Sequence, residues 1–427
     1  MKRANDLMKS QVKTVFRLQN SFFALIVLVF LATQFPGDVW GQGKQKQRFK
    51  EERARMVKLA VKDAGVTNQR VLDAMLDTPR EMFIPNKLWS SAYLDAALPI
   101  GDEQTISSPF IVAYMTESLD PQPDDRILEI GTGSGYQAAI LSPLVSEVYS
   151  IEIVRPLGER AKKTLKRLKY DNVHVKVGDG FKGWPSQAPF DKIILTCSPE
   201  IVPEPLKEQL REGGLMVLPM GERHQQNLML YKKENGKLVP TALRPTLFVP
   251  MTGAAEKKRE VLPNPDNPQI LNGDFEEDLP ENGFIDGWYY QRSLELVDDK
   301  LSPGGKRHVR FTADQVGQKA HLMQGFAING KVIGKIKLMA SVKCDEVLQG
   351  THPEDLPVAS ITFYDDHRRE LGTGFIGPFR GTRDWRNYDN TIRVPENTRE
   401  ALIRIGLFGA TGSASFDNVL IQPMPRK

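Results

Sequence analysis

The chain has 427 residues, enough for two or three domains with sizeable cores. Its net charge is only +4, with both signs spread along the sequence, so we expect no nucleic-acid partner. Its two cysteines, Cys197 and Cys344, fall in different predicted domains and provide no disulfide framework.

The beginning of the chain has the composition of a targeting segment. Five basic residues between Lys2 and Arg17 precede an uninterrupted apolar run from Phe22 to Ala32. That run is shorter than the ~20 residues needed to span a bilayer, and Val39-Trp-Gly41 offers small residues for cleavage. Residues 1–41 are therefore expected to be a signal peptide or a membrane anchor, with membrane contact through this segment. The protein is accordingly expected to be exported, periplasmic or membrane-anchored. The alternative is a misassigned start codon ahead of a cytoplasmic protein.

The next part of the chain is predicted to be helical. Residues 42–55 form a polar, basic linker that runs into helices within residues 51–100, with ends at Gly65 and Pro79. A polar loop, Gln104-Thr-Ile-Ser-Ser-Pro109, then precedes a further predicted helix that ends near Leu119.

Two serines in this polar loop have a simple structural interpretation. Ser107 or Ser108 could serve as the N-cap of the following helix, with Pro109 at its first position. Judged from the loop sequence alone, this interpretation is preferred over a functional one.

A strand, a glycine-rich turn and a helix start follow in Arg126-Ile-Leu-Glu-Ile-Gly-Thr-Gly-Ser-Gly-Tyr136. Glu129 is predicted near the carboxyl end of the strand, and Gly131, Gly133 and Gly135 follow at alternate positions. Glycines permit positive φ angles and leave room for a ligand. The spacing differs from the dinucleotide pattern G-x-G-x-x-G, and the acidic residue suits a cationic amino-acid group better than a pyrophosphate. The alternative is a tight turn without a ligand.

Two further strands end in acidic residues. Val148-Tyr-Ser-Ile-Glu152 places Glu152 about 20 residues beyond the first glycine, where an acidic residue accepts both ribose hydroxyls of a nucleotide. Val173-His-Val-Lys-Val-Gly-Asp-Gly180 ends in Asp179 and Gly180, and Asp179 is placed to meet an adenine amino group. With the glycine turn, these strands resemble the class I S-adenosylmethionine-dependent methyltransferases.

A more specific resemblance covers residues 50–254 from end to end. Five segments occur in order: Leu98-Pro-Ile-Gly, the loop from Gln104 to Pro109, the glycine turn, Ala188-Pro-Phe-Asp-Lys-Ile-Ile194 and Arg244-Pro-Thr-Leu-Phe-Val-Pro-Met-Thr-Gly253. Together they resemble the protein-L-isoaspartate O-methyltransferase family. The resemblance implies a doubly wound, Rossmann-like α/β sheet and the cofactor S-adenosyl-L-methionine.

The resemblance also implies a reaction and its residues. The substrates are isoaspartyl residues in damaged proteins and peptides, and Ser107 is the active-site serine. Their α-carboxylate is already ionised at pH 7, so neither a strong general base nor a metal is required. The hydroxyls of Ser107 and Thr105 would hold that carboxylate in line with the methyl group. The sequence departs from the family pattern at two positions. Glu103 stands where many relatives have glycine, and Cys197 stands where they have small alanines, which puts the substrate range in doubt.

Later segments complete this domain, which we assign to residues 42–253. Ile193-Ile-Leu195 and Leu215-Met-Val-Leu-Pro219 are predicted strands, separated by a helix from Pro205 to Arg211 that ends at Gly213-Gly214. Two late antiparallel strands, Asn227–Tyr231 and Leu243–Val249, flank a turn at Glu234–Lys237. Helices that alternate with strands predict a mostly parallel sheet.

The composition changes after residue 253. Residues 254–269 form a charged, proline-rich linker, and short strand-like runs then alternate with turns through residues 270–427. This pattern predicts an all-β sandwich. A weak resemblance to jelly-roll carbohydrate-binding modules rests on two segments, Leu271-Asn-Gly-Asp-Phe-Glu276 and Ser415-Phe-Asp-Asn-Val-Leu-Ile421. Four aromatic residues could stack on a carbohydrate or surface ligand, although packing is the preferred interpretation: Trp288, Tyr289, Tyr290 and Trp385.

The sequence leaves three functions open. The first is methyl transfer to isoaspartyl residues, favoured by the complete motif series. The second is carboxyl methylation of a small molecule on the same scaffold, motivated by Glu103 and Cys197. The third is a non-catalytic ligand-binding protein, with the β domain as its working part.

Overall fold

A computed structural model describes residues 37–426, apart from residues 256, 258–263, 281, 319 and 354. The predicted targeting run from Phe22 to Ala32 lies outside the described residues. Within the described part of the chain, no helix has the length and apolar character needed to cross a membrane. The chain divides after Ala54 into two compact units, and everything from Arg55 onward belongs to the second.

Helix α1 (Gly37–Met56) occupies the stretch that we expected to be a linker. That expectation was wrong because Gln, Lys, Arg and Glu dominate residues 42–55, and all four are good helix formers. Pairs four residues apart add to this preference: Arg48 Nε donates to Glu52 Oε1 at 2.8 Å. The helix continues as a π-helical turn, Val57–Lys62.

The α/β region, residues 57–255, contains five more α-helices, several short 3-10 helices and nine strands among its described residues. The helices are α2 (Gln69–Asp77), α3 (Pro109–Leu119), α4 (Tyr136–Leu141), α5 (Arg155–Arg167) and α6 (Glu204–Gln209). The strands are β1 (Leu98–Gly101), β2 (Gln104–Ile106), β3 (Arg126–Ile130), β4 (Glu147–Glu152), β5 (Val173–Val177), β6 (Phe190–Leu195), β7 (Leu210–Gly221), β8 (Gln226–Glu234) and β9 (Lys237–Thr246).

Seven of these strands form one sheet in the order β5-β4-β3-β6-β7-β8-β9. Strands β5, β4, β3, β6 and β7 are parallel, and β8 and β9 are antiparallel, as predicted. The chain winds outward in one direction from β3 to β5 and in the other from β6. The carboxyl ends of β3, β4 and β6 therefore meet where an open α/β sheet binds its ligand.

The boundary between α6 and β7 differs from the prediction. The helix ends at Gln209, and Leu210 already pairs with Phe190 of β6. Gly213 and Gly214 lie inside β7 at an irregularity of the ladder, rather than ending a helix. Gly214 packs so closely that a Cβ atom would lie 2.8 Å from the carbonyl oxygen of Asp191, so this glycine permits a close approach between strands.

The C-terminal β region, residues 270–426, contains ten strands among its described residues. They are β10 (Tyr289–Arg292), β11 (Leu294–Asp298), β12 (Arg307–Ala313), β13 (His321–Ala327), β14 (Ile333–Leu348), β15 (Val358–Tyr364), β16 (Glu370–Ile376), β17 (Gly381–Arg393), β18 (Glu400–Gly406) and β19 (Thr411–Pro425). They form two antiparallel sheets, β10-β13-β18-β15-β16 and β11-β12-β19-β14-β17. One hydrophobic core takes side chains from both sheets, for example Ile403 from β18 and Phe416 from β19.

Packing is the correct interpretation for two of the four aromatic residues considered as a sugar platform. Trp288 and Tyr289 have no exposed surface. Trp288 donates its indole N–H to the carbonyl of Asn272, and the Tyr289 hydroxyl donates to the carbonyl of His224. Trp385 is half-buried and packs edge-on against His308.

Candidate active site

The glycine turn connects β3 to α4 with the geometry that its sequence predicts. Gly131, Gly133 and Gly135 all have positive φ angles of 97°, 54° and 90°. A Cβ atom on Gly131 would lie 2.5 Å from Thr196 Oγ1, so only glycine leaves this edge of the sheet open. Gly131 and Gly133 line a cavity at the carboxyl ends of the strands, whereas Gly135 packs behind it on Leu165.

Glu152 ends β4 and lines the same cavity. Its Oε2 accepts the N–H of Gly133 at 2.7 Å, and its Oε1 accepts the N–H of Val154 at 2.9 Å. Burial raises the pKa of this carboxyl group, and the two N–H donors oppose that shift. Each carboxylate oxygen still has a lone pair to offer, so Glu152 can accept further hydroxyl donors from a ligand.

Glu129 lies behind the cavity wall, although the sequence predicted that it would meet the ligand. It is completely buried and does not belong to the cavity wall. Its Oε2 accepts the Ser150 hydroxyl at 2.5 Å, whereas Oε1 has no hydrogen-bond partner among the described residues. Burial raises the pKa of Glu129 to about 8, which favours the neutral acid at pH 7.

Asp179 and Gly180 follow β5 at the far side of the cavity. Gly180 lines the cavity, and a Cβ atom there would lie 2.4 Å from Ile130 Cγ2. Asp179 caps the next turn, because its Oδ1 accepts the N–H of Phe181 at 2.9 Å. Its Oδ2 accepts the N–H of Ala254 at 3.1 Å, which ties the end of the α/β region to this side of the cavity.

The polar loop supplies the opposite wall. Strands β1 and β2 form a hairpin, and Thr105 and Ser107 line the same cavity as the glycine turn. Arg80 holds the loop in place. It has no exposed surface, and no sequence pattern had marked it as part of the site. Its Nη2 donates to the carbonyl of Ser107 at 2.8 Å, and its Nε donates to the carbonyl of Ala92 at 3.0 Å.

The two serines have different surroundings. Ser107 is half-buried and faces the cavity, whereas Ser108 is completely buried at the N-cap position of α3. Ser108 makes no capping hydrogen bond with its side chain; instead, its Oγ accepts the Tyr290 hydroxyl at 3.0 Å. Tyr290 lies in the C-terminal β region, and no local sequence signal connects it with this loop.

The cavity between the glycine turn and the polar loop encloses about 780 Å³, its open mouth included. Another wall is formed by the segment after β9. This segment is held against the loop that follows β6 by hydrogen bonds from Ser198 N to Val249 O and from Met251 N to Ser198 O. The cavity has a carboxylate at one side, apolar side chains such as Ile153 and Met251, and a turn that only glycines permit. Together these features fit a nucleoside with an amino-acid portion. The site therefore fits S-adenosylmethionine.

A second and larger space opens from the polar loop. This groove, whose space is about 2680 Å³ with the open solvent at its mouth included, shares Thr105, Ser107 and Thr196 with the first cavity. Its roof belongs to the C-terminal β region, and its floor to the β1–β2 hairpin. We call it the inter-region groove.

The two sequence departures lie in these walls. Glu103 occupies the hairpin turn with a φ angle of 62°, a conformation that glycine adopts more easily, and its carboxylate lies 3.5 Å from His367 Nε2 of the β region. Cys197 lines the smaller cavity, and burial raises the pKa of its thiol, so the sulfur stays protonated and unreactive.

The fold and the site are those of a methyltransferase with a glycine turn, an acidic strand end and a polar loop around one cavity. Residues 51–256 match the family profile described as protein-L-isoaspartate(D-aspartate) O-methyltransferase. A protein-L-isoaspartate O-methyltransferase of Dictyoglomus turgidum is 50% identical over 206 residues, which cover 48% of this chain and 93% of that protein. One from Opitutus terrae is 51% identical over 202 residues, which cover 47% of this chain and 87% of that protein. The chain belongs to the protein-L-isoaspartate O-methyltransferase family.

A solved protein-L-isoaspartate O-methyltransferase structure is 31% identical, covers 52% of this chain and 73% of that chain, and has a TM-score of 0.44. The two curated relatives are matched over 87–93% of their own length by about 205 residues of the α/β region. The C-terminal β region therefore has no counterpart of similar size in those two proteins.

Proposed function

We propose that this protein is an S-adenosylmethionine-dependent protein-L-isoaspartate O-methyltransferase that methylates the α-carboxylate of isoaspartyl residues in damaged proteins and peptides. The observation that carries the proposal is the shared cavity: Thr105 and Ser107 line the same space as Gly131, Gly133 and Glu152. Family membership at 50% identity supports the same activity.

The residues of this chain act by binding and alignment. When bound, S-adenosylmethionine supplies an electrophilic methyl group on a sulfonium. Glu152 would accept the ribose hydroxyls, the glycine turn would admit the amino-acid portion, and Asp179 with Gly180 would border the adenine. Glu129 lies behind the turn and outside the cavity wall, so its unpartnered Oε1 would be the acceptor for a cationic amino group that reaches past the turn.

The substrate carboxylate needs orientation rather than activation, because it is ionised at pH 7. The hydroxyls of Ser107 and Thr105 would donate hydrogen bonds to it, and Arg80 keeps the Ser107 backbone in place. Holding two reactants in line contributes a large part of the rate enhancement in such a reaction. Apolar side chains around the cavity keep water away from the reacting atoms.

The course of the inter-region groove favours a polypeptide substrate. The groove is open to solvent and extends from Thr105 and Ser107 to Arg404 of the β region, as an extended chain would require. The test is a methyl-transfer assay that compares the isoaspartyl and aspartyl versions of one peptide. We expect transfer only to the isoaspartyl peptide. Transfer to free small carboxylic acids alone would support the small-molecule alternative, and cofactor binding without transfer would support a non-catalytic protein.

We also propose that residues 1–41 direct export or anchor the chain in a membrane, on the basis of the apolar run from Phe22 to Ala32. Cell fractionation with N-terminal sequencing tests this location. A cytosolic protein that still begins at Met1 would contradict it.

The C-terminal β region would act as a β-sandwich that binds a carbohydrate or another surface ligand. The shared core of its two sheets supports the sandwich, and Trp385 is the half-buried aromatic residue available for stacking. Binding to immobilised polysaccharides, compared with a Trp385→Ala variant, tests the ligand.

A further inference from the structure

The roof of the inter-region groove is one face of a β-sheet. In β18, Ala401, Ile403 and Ile405 point into the core of the β region, so alternate residues point the other way. Those alternate residues, Glu400, Leu402 and Arg404, all line the groove. The relatives from Dictyoglomus turgidum and Opitutus terrae have no counterpart of similar size to the β region, so the side chains of this roof are additions of the present chain relative to those two proteins.

Most charges along the groove are already paired within the protein. Arg368 Nε lies 3.4 Å from Glu400, and Arg369 Nη2 lies 2.7 Å from Asp365. Across the groove, His367 lies 3.5 Å from Glu103. These side chains therefore satisfy one another and offer little free charge to a ligand.

Arg404 is the exception. Its Nη2 donates to Thr362 Oγ1 at 3.2 Å, but no carboxylate lies within salt-bridge distance among the residues that the structure describes. Its Nε is buried and has no hydrogen-bond partner within that same part of the chain. The cross-strand neighbours of Arg404 are Met323 and Ser360, and neither carries a charge.

A guanidinium without a carboxylate partner is costly at a half-buried position when one of its N–H donors, here Nε, loses water without gaining an acceptor. Arginine also presents a planar pair of donors that matches a carboxylate group. The groove runs from this position to Ser107 and Thr105, where the isoaspartyl carboxylate would be held.

We propose that the substrate polypeptide lies in the inter-region groove and that Arg404 binds a second carboxylate, on an aspartate, a glutamate or the chain terminus near the isoaspartyl residue. The inference rests on the proposed methyl transfer and adds a substrate class to it: isoaspartyl sites with an acidic neighbour. Arg404 is thus a specificity-determining residue that the β region contributes to the active site of the α/β region.

The test uses the full chain and a panel of isoaspartyl peptides. Each peptide carries one glutamate at a position from one to four residues before or after the isoaspartyl residue, and its partner carries glutamine there. For at least one position, we expect the glutamate peptide to have about tenfold higher kcat/KM in the unaltered protein, since a charged hydrogen bond of this kind contributes about 1.5 kcal/mol. The preference should shrink at high salt.

Arg404→Met and Arg404→Gln should abolish this preference, so that the glutamate and glutamine members of each peptide pair have equal kcat/KM. The matched control is Arg386→Met, since Arg386 is exposed on β17 in the other sheet. Equal rates for both members of every peptide pair, or a preference that survives both Arg404 variants, would overturn the inference and leave the proposed function intact. Failure to methylate any isoaspartyl peptide would overturn both.

Discussion

The hydroxyl of Tyr290 lies 3.0 Å from Ser108 Oγ and donates to it, although the two residues are 182 positions apart in the chain. Tyr290 belongs to the β region, and Ser108 starts helix α3 directly after the active-site loop. The β region therefore supports the loop that carries Ser107 through a partly buried hydrogen bond.

Replacement of this tyrosine should weaken the loop. We expect Tyr290→Phe to lower the free energy of unfolding by about 1–3 kcal/mol, because Ser108 Oγ would stay buried without its donor. The kcat for an isoaspartyl peptide should fall, whereas cofactor affinity should not change. Tyr388→Phe, which removes a hydroxyl from the other sheet, is the control. Identical behaviour of the two variants in unfolding and kinetics would contradict a positioning role for Tyr290.

A buried ion pair provides a second link between the regions. Arg292 of β10 pairs with Asp95, and both side chains are almost completely buried, at 6% and 1% exposure. The other oxygen of Asp95 accepts the N–H of Phe110 at 3.0 Å, and the Arg292 guanidinium lies 3.9 Å above the Phe110 ring.

Arg292→Met should lower the free energy of unfolding by about 3–5 kcal/mol, because Asp95 would remain buried as an unpaired charge. Asp95→Asn in the same background should recover part of this loss. A truncation after residue 256 should be milder than Arg292→Met, since it returns Asp95 to water. Urea unfolding of the four proteins provides the measurement. A truncated protein that does not fold would show that the predicted separation of the two domains is wrong.

Much of the sheet could be predicted because its signals are local. Apolar runs in the sequence predicted β3, β4 and β6. The glycine turn predicted the place where a ligand binds. The position of Glu152 followed from its place at the end of a strand, since the carboxyl ends of parallel strands meet at one edge.

The rest of the site depends on contacts between distant parts of the chain. The ion pair of Arg292 with Asp95 joins residues 197 positions apart, and neither local sequence differs from an ordinary surface segment. Arg80 became buried because three backbone carbonyls surround it, which only the folded loops create. Glu129 was placed on the right strand, but its side chain points to Ser150 of β4, and strand position alone does not determine that direction.

The raised pKa of Glu129 leads to a pH dependence of stability. The pKa of Glu129 is about 8 in the folded protein, compared with 4.5 for a glutamate in the unfolded chain. Between pH 4.5 and about 8, the folded state therefore holds a proton that the unfolded state has released. Stability must then fall as the pH rises through this window, by up to about 1.4 kcal/mol per pH unit. The variant Glu129→Gln keeps the shape of the side chain and removes the titration.

Urea unfolding of the unaltered protein and Glu129→Gln at pH 5.5, 6.5 and 7.5, without cofactor, tests this dependence. The variant should become progressively more stable relative to the unaltered protein as the pH rises. A constant difference between the two proteins over this range would show that Glu129 does not titrate there.

Loss of the Glu152 carboxylate should weaken cofactor binding. Glu152→Ala removes the acceptor proposed for two ribose hydroxyls, at a cost of about 1.5–3 kcal/mol per charged hydrogen bond. Calorimetry with S-adenosylhomocysteine measures the affinity. Glu147→Ala is the matched control, because Glu147 begins the same strand and is partly exposed beside His174. Equal affinities for the two variants would refute the ribose assignment.

The two serines of the active-site loop should respond differently to the same substitution. Ser107→Ala should lower methyl transfer and leave cofactor affinity and stability nearly unchanged, because Ser107 faces the cavity and its structural contact with Arg80 is made by the backbone carbonyl. Ser108→Ala should lower stability more, because Ser108 is completely buried and its Oγ accepts the Tyr290 hydroxyl. Single-turnover rates, calorimetry and urea unfolding separate these effects. If Ser108→Ala abolished transfer without a change in stability, and Ser107→Ala kept the full rate, Ser108 and not Ser107 would hold the substrate carboxylate.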